Sequence, residues 1–203
     1  MDFRFTSFWN LLWGMVARDL RNRYLGSFGG KAWNVLFPLL TITIYTLVFS
    51  QIIHAENKTI QGPFGYVLYL CSGLLPWLAI DDSLKRSTPA LVNNFSLIQN
   101  LPFPKEILVL QYVISSTVTL LISLAILLIL QLFAGVPPRP TLLLLPGVIF
   151  IQVMLMLGPA LLLSILHVYL RDTEQIVSIV LSLVFWLIPI VYTPTILPSW
   201  VAS

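Results

Sequence analysis

The chain has 203 residues, of which 58% are hydrophobic and only 9% are charged. A water-soluble domain of this length carries about a quarter charged residues, so the composition excludes a soluble globular protein and indicates an integral membrane protein. The formal net charge is +3, and a single cysteine excludes an intramolecular disulfide framework and a cysteine-cluster metal site.

Residues 5–24 predict an amphipathic helix, because apolar side chains recur at helical spacing while arginine and asparagine tend toward the other side. Such a helix is typical of a membrane surface, so residues 1–31 are expected to form an N-terminal interfacial segment. The alternative is an ordinary helix that packs on its own protein. The apolar side consists of Phe5, Phe8, Trp9, Leu12, Trp13, Val16, Leu20 and Tyr24.

Residues 32–203 are expected to form a transmembrane domain with about five spans. Each apolar segment can cross a hydrocarbon core about 30 Å thick, which takes about 20 helical residues. The second is short and is expected to extend over part of 80–84. The predicted fold class is therefore an all-α integral membrane protein. The segments cover 33–53, 64–80, 107–134, 142–170 and 176–192.

The distribution of positive charge predicts the orientation. With the N-terminus in the cytoplasm, nine of the 11 Lys and Arg residues lie inside, and only Lys58 and Arg139 lie outside. This asymmetry follows the positive-inside rule. Five spans then place the C-terminus outside, where 194–203 look like the start of another element. A sixth span is therefore expected to be missing.

The longest cytoplasmic loop, 81–106, contains a predicted amphipathic helix over 89–99. Thr88 and Pro89 are typical of a helix start, with a hydroxyl cap followed by proline at the first helical position. The helix is too short to cross a membrane, so a partner protein or the lipid surface must cover its apolar side. That side consists of Leu91, Val92, Phe95 and Ile98.

The stretch RYLGSFGGKAW at 23–33 looks at first like a phosphate-binding loop. That motif requires glycine five residues before Gly30 and a hydroxyl residue after Lys31, whereas leucine and alanine occupy those positions. The glycines are instead expected to let the chain turn from the interfacial helix into the first span. The residues of this predicted interfacial turn are Gly26, Gly29, Gly30 and Trp33.

No constellation of catalytic or metal-binding residues emerges. His54 and His167 are predicted on opposite sides of the membrane, and Asp81 and Asp82 diverge by about 100° on a helix. One of these aspartates is expected to cap a helix or to face the cytoplasm. Arg171, Asp172 and Glu174 close the fourth span, either as a solvated turn with a local ion pair or as a contact to a cytoplasmic partner.

Several aromatic residues are candidates for a path along which sugars slide, since flat rings with a polar edge stack on sugar faces. The alternative is an interfacial aromatic belt or ordinary helix packing. These candidates are Trp77, Tyr112, Phe185, Trp186 and Tyr192.

Three stretches in this order and spacing resemble the permease subunits of type-two ATP-binding-cassette exporters for polysaccharides, which include O-antigen, capsule and teichoic-acid permeases. The resemblance covers nearly the whole chain. The stretches are RYLGSFGGKAW at 23–33 with FP at 37–38, NNFSLI at 93–98 with FPKEIL at 103–108, and YLRD at 169–172 with PIVY at 189–192.

The resemblance implies that two permeases pair in the bacterial cytoplasmic membrane and bind two separate ATPase subunits. ATP and magnesium would be bound by those subunits, and this chain would bind no cofactor and no nucleic acid. Its other partners would be membrane lipids and a lipid-linked glycan. The helix over 89–99 would be the coupling helix that docks on the ATPase.

The resemblance also assigns site residues. Arg171 and Asp172 would belong to a cytoplasmic gate, and the first and fifth spans would line the glycan path. The chain departs from the family at Gly29, where a bulky apolar residue is more usual, and in lacking the re-entrant helices and sixth span. The favoured path residues are Tyr45, Phe49, Phe185, Trp186 and Tyr192.

Three alternatives stay open at this point. The same scaffold could export a drug or a small lipid, for which a smooth aliphatic channel face is expected in place of an aromatic one. The chain could be an inactive truncated permease or a non-transporting scaffold. A membrane-embedded enzyme is the fourth reading, and no reactive constellation supports it.

Overall fold

A computed structural model describes residues 5–23, 32–52, 65–100, 103–133, 135–137 and 139–188. The elements within these ranges are helices, and no strand occurs among them, which confirms the predicted all-α class. A 3-10 turn over Pro140–Leu144 leads into the seventh α-helix. In chain order the helices are α1 Phe5–Asn22, α2 Trp33–Ile52, α3 Gly65–Ser87, α4 Ala90–Asn93, α5 Phe95–Asn100, α6 Ile107–Phe133, α7 Leu145–Tyr169 and α8 Thr173–Leu187.

Three helical segments are long and apolar enough to cross a membrane, namely Val67–Ser87, Ile107–Phe133 and Pro140–Tyr169. Helix α2 has 20 residues, which at 1.5 Å per residue gives about 30 Å and suffices for a span. Helix α8 has 15 residues, or about 22 Å, and is shorter than the predicted fifth span. It begins three residues earlier than predicted, and residues 189–192 lie outside the described ranges.

The second span continues well past its predicted end, because 81–87 form the last two turns of α3 and not a loop. The Thr88 hydroxyl donates to the Leu84 carbonyl at 2.7 Å, so it closes α3. The prediction that Thr88 caps the following helix is therefore wrong. Pro89 takes the N-cap position of α4, without a side-chain cap.

Helices α3 and α6 lie at the centre of the bundle. Trp77 of α3 and Val113 of α6 share one buried cluster with Met156 of α7 and Leu181 of α8. Gln152 of α7 adds an interhelical hydrogen bond, donating to a carbonyl of α3 at 3.0 Å. Close packing and such bonds hold helices together in lipid, where no hydrophobic driving force acts between them.

Helix α1 packs on the bundle along one stripe of its predicted apolar side. Leu12 and Val16 are 2% and 1% exposed and cluster with Ile107 at the start of α6. This stripe packs on the protein itself, and the placement of residues 1–31 at a membrane surface stays a prediction. Trp9 and Trp13, one turn apart on another face, are 42% and 55% exposed. The apolar side therefore divides into a buried stripe and an outward aromatic pair.

Candidate functional site

The predicted coupling segment lies between α3 and α6 and forms two short helices, α4 and α5. Asn94 separates them, and its side-chain nitrogen donates to the Ala90 carbonyl at 2.8 Å. Asparagine competes with the helix backbone by such local bonds, which explains the break. The prediction of one continuous helix over 89–99 is therefore wrong.

The residues of the predicted apolar stripe differ in burial on the two sides of the break. Leu91 packs against the central cluster beside the fully buried Ala90. Val92 and Ile98 are half-buried. Phe95, the first residue of α5, is 57% exposed, and it is the large hydrophobic side chain of this segment that faces outward.

The predicted gate residues lie in the tight turn between α7 and α8. Arg171 and Asp172 are both exposed. The turn is closed by Thr173, whose hydroxyl donates to the Leu170 carbonyl at 2.6 Å. Asp172 is the N-cap residue of α8 but makes no side-chain cap hydrogen bond. Within the described residues no ion pair joins these two side chains to Glu174, so the turn presents separate charges to its surroundings.

Two of the predicted path aromatics lie together on the bundle. Tyr45 of α2 and Phe185 of α8 both pack against the central cluster that contains Trp77. The Phe185 ring centroid is 6.3 Å from that of Trp77 and 5.5 Å from that of Trp186, which is 67% exposed. The structure thus brings together Trp77 of α3 with Phe185 and Trp186 of α8 in one aromatic group that ends at an exposed indole, and Tyr45 of α2 packs against the same cluster.

The remaining path candidates separate from this group. Tyr112 faces Arg86, whose guanidinium carbon is 4.7 Å from the ring centroid, a cation–π contact. The side chain of Phe49 and all of Tyr192 lie outside the described residues. Of the predicted interfacial turn, only Trp33 is described, and it is half-buried as the first residue of α2. Gly26, Gly29 and Gly30 lie outside the described ranges.

A network of four charged side chains joins α1 to the last turns of α3, and a separate ion pair lies beside it. Asp19 pairs with Arg86 and lies 3.4 Å from Arg23, and Arg23 donates to Asp82 at 2.8 Å. Asp82 also accepts a hydrogen bond of 2.6 Å from a serine hydroxyl on α6. Lys85 forms a separate ion pair with Asp81, one turn before it on α3, at an N–O distance of 2.8 Å.

Sequence reasoning missed this network and gave both aspartates of α3 a different place. Asp81 and Asp82 are predicted in the loop 81–106, but both lie inside α3 and have partners, so neither caps a helix. That one of them faces the cytoplasm stays a prediction. Asp19 is 11% exposed, so its charge is largely withdrawn from water and relies on the two arginines. The available signal was the spacing of four residues within the pairs Asp19–Arg23 and Asp82–Arg86.

The described residues hold no group of three or more His, Cys, Asp or Glu side chains placed to bind a metal ion. His167 is buried at the end of α7, and its Nδ1 atom has no hydrogen-bond partner among the described residues. His54 lies outside those residues.

A bundle of apolar helices, several of them long enough to cross a membrane, defines the class of the protein as a multi-pass membrane protein. The chain matches the family of ABC-2 type transporters over residues 10–203. It is 30% identical over 182 residues to the O-antigen export system permease protein RfbA of Myxococcus xanthus, a match that covers 90% of this chain and 68% of the relative.

Two proteins of the same name from Klebsiella pneumoniae are similar along the whole chain. One is 28% identical over 209 residues and the other 27% over 207, and each match covers 100% of this chain and 78% of the relative. The chain therefore belongs to the ABC-2 type transporter family. It is a multi-pass membrane protein and a non-enzymatic permease, and the resemblance on which the sequence motifs converge is confirmed.

Proposed function

We propose that the chain is the membrane subunit of an ATP-driven exporter that moves a lipid-linked polysaccharide across the bacterial cytoplasmic membrane. The observation that carries the proposal is the similarity, along 90–100% of the chain, to permeases named for O-antigen export. The absence of a phosphate-loop motif in the sequence agrees with ATP hydrolysis in a separate subunit, which would also bind the magnesium ion.

The ATPase docks on the surface formed by α4 and α5. Phe95 enters a groove of the ATPase, and the half-buried Val92 and Ile98 border the contact. Because Leu91 packs against the central cluster, movement of the docked segment is transmitted directly to the spanning helices. A single exposed aromatic ring surrounded by smaller contacts is typical of an interface hot spot.

The glycan passes along Phe185 and Trp186, whose rings are in contact, and along Tyr45 of α2, because aromatic rings stack on sugar faces. Two copies of the permease pair so that α2 and α8 face the path between them. Helix α8 has a broad exposed apolar face suited to this pairing. The exposed side chains of that face are Ile176, Ile179, Val180, Leu183, Trp186 and Leu187.

The N-terminus lies in the cytoplasm, following the positive-inside rule. This orientation places α1 at the inner surface, where Trp9 and Trp13 reach the headgroup level. It also places Arg171 and Asp172 on the cytoplasmic side, as charges at the gate through which the glycan enters.

Depletion of the chain in its host tests the proposal. Surface glycan is compared with lipid-linked glycan retained inside the cell. Loss at the surface together with accumulation inside is the expected result, because synthesis continues while export stops. Unchanged levels of both pools would contradict the assignment to glycan export.

A further inference from the structure

A cavity of about 580 Å³ lies between α2, α3 and α6, close to the end of α1, and the proposed path and coupling surface do not use it. Its lining runs along α3 from Leu75 to Arg86, a distance of about 16 Å at 1.5 Å per residue. Its volume lies within the range of about 300–1,000 Å³ that is usual for small-ligand sites.

The two ends of the cavity differ in chemistry. At the Arg86 end, Arg23 and Lys85 also contribute to the lining, together with two aspartates. Toward Leu75 the wall is aliphatic, with Leu78 and Leu120, and hydroxyl groups from α2 and α6 also line the cavity. The cavity is therefore amphipathic along its length, with charges at one end and apolar walls at the other.

The charged end retains hydrogen-bond donors despite its ion pairs. Three cations and two carboxylates line the cavity, and a third carboxylate, Asp19, pairs with Arg86 and Arg23 from the α1 side. The Nη1 atom of Arg86 is enclosed but donates to no acceptor among the described residues. Its nearest paired oxygen, on Asp82, is 3.7 Å away, which is too long for a hydrogen bond.

We propose that this cavity binds an anionic phospholipid of the membrane. The phosphate accepts a hydrogen bond from Lys85, near the positive charge of the enclosed Arg86 guanidinium, and one acyl chain lies along the apolar wall toward Leu75. Basic pockets between spanning helices on the cytoplasmic side are suited to anionic lipid headgroups. The assignment to the cytoplasmic leaflet rests on the proposed orientation, whereas lipid binding itself does not depend on export.

A phospholipid fits this cavity better than a free phosphate ion does. The charged end lies beside α1, whose exposed tryptophans suit the headgroup level, and the apolar walls begin one to two turns further along α3. A free phosphate ion would use only the charged end and leave the apolar walls uncovered. The bound lipid would reinforce the contact of α1 with α3 that Asp19 and Arg86 already make.

Two residues of α6 provide a matched pair of variants. Thr119 and Thr117 are both half-buried, and each hydroxyl donates to a carbonyl one turn earlier, at 3.1 and 2.8 Å. Only Thr119 is among the residues that line the cavity. Thr119→Phe should fill the cavity, whereas Thr117→Phe places the same ring elsewhere on the helix. Lys85→Gln removes one positive charge and leaves the cavity open.

The test is native mass spectrometry of the full chain purified from membranes and exchanged into equal amounts of phosphatidylglycerol and phosphatidylcholine. The wild type should retain phosphatidylglycerol in preference to phosphatidylcholine. Thr119→Phe should lose that lipid while Thr117→Phe keeps it. Lys85→Gln should reduce retention about fivefold, the effect expected of one cation near an anionic lipid.

Three results would overturn the proposal. Equal retention of the two phospholipids by the wild type would exclude recognition of an anionic headgroup. Equal retention of phosphatidylglycerol by both threonine variants would place the lipid outside the cavity. Displacement of the lipid signal by millimolar inorganic phosphate would assign the charged end to a free anion. If Thr119→Phe does not fold, unchanged retention by Lys85→Gln refutes the headgroup contact.

Discussion

Substitution of Phe95 should uncouple the permease from its ATPase without disturbing membrane insertion. Phe95 is 57% exposed, so a docked partner can cover about 110 Å² of a side chain that buries 150–250 Å² in full. At about 25 cal/mol per Å² this area contributes about 3 kcal/mol to docking, or roughly a hundredfold in affinity. Phe95→Ala should weaken association by about that factor, and Phe95→Asp, which adds a desolvated charge, should abolish it.

The assay is co-purification of the ATPase with tagged permease from solubilised membranes, together with glycan export in cells. Asn100→Asp is the matched control, because Asn100 is exposed on the same short helix but lies about 140° around the axis from Phe95. Permease yield and elution volume should be the same for all variants. If Phe95→Asp still retains the ATPase and supports normal export, the assignment of this surface to docking is wrong.

Three further changes separate transport from stability. Trp186→Ala should reduce glycan export more than permease yield, because this 67% exposed indole contributes little to the packing of its own chain. Asp19→Asn should destabilise the solubilised permease by about 2 kcal/mol, lowering Tm by about 4–8 °C, since it removes the carboxylate that Arg23 and Arg86 share at an 11% exposed position and leaves only Asp82 to balance them. Arg171→Ala should reduce export while leaving Tm unchanged, because its side chain is exposed and outside the ion pairs of the described residues.

Each of these changes has a control on the same structure. Ser182→Ala changes an exposed residue one turn before Trp186 on α8 without removing a ring, and export should persist. Equal loss of export and yield in Trp186→Ala would favour packing over a path role. Asp172→Asn is the control for Asp19→Asn, because it removes an exposed charge and should leave Tm unchanged. An equal fall in Tm for the two variants would show that the ion-pair network around Asp19 does not stabilise the permease. Normal export by Arg171→Ala would contradict the gate assignment.

The long helices could be predicted from the sequence because hydropathy acts over many residues. The first, third and fourth spans end within a few residues of α2, α6 and α7. The end of the second span was predicted too early, because Asp82 and Arg86 look like residues of a solvated loop. Their charges are accommodated inside α3 by Arg23 and Asp19, which lie 59 and 67 residues away along the chain. Periodicity contains no information about such distant partners.

The short cytoplasmic segment shows a different limit of sequence reasoning. The apolar positions Leu91 and Phe95 fit one helical stripe, and the pattern alone cannot tell which of them faces the bundle. Asn94 provided a local signal for the break, because its side chain competes for backbone carbonyls. The division of the apolar side of α1 has the same origin, since Val16 and Trp13 become distinct only once α6 packs against one of them.

Reconstitution tests the central proposal most directly. The permease and its ATPase are placed together in vesicles that contain lipid-linked glycan, and the transfer of glycan to the opposite leaflet is measured with and without ATP. ATP-dependent transfer by the wild type, and its loss in Phe95→Asp vesicles with equal protein content, is the predicted result. Transfer that is independent of ATP, or equal in the two preparations, would contradict the proposal that this chain couples glycan export to an ATPase docked at Phe95.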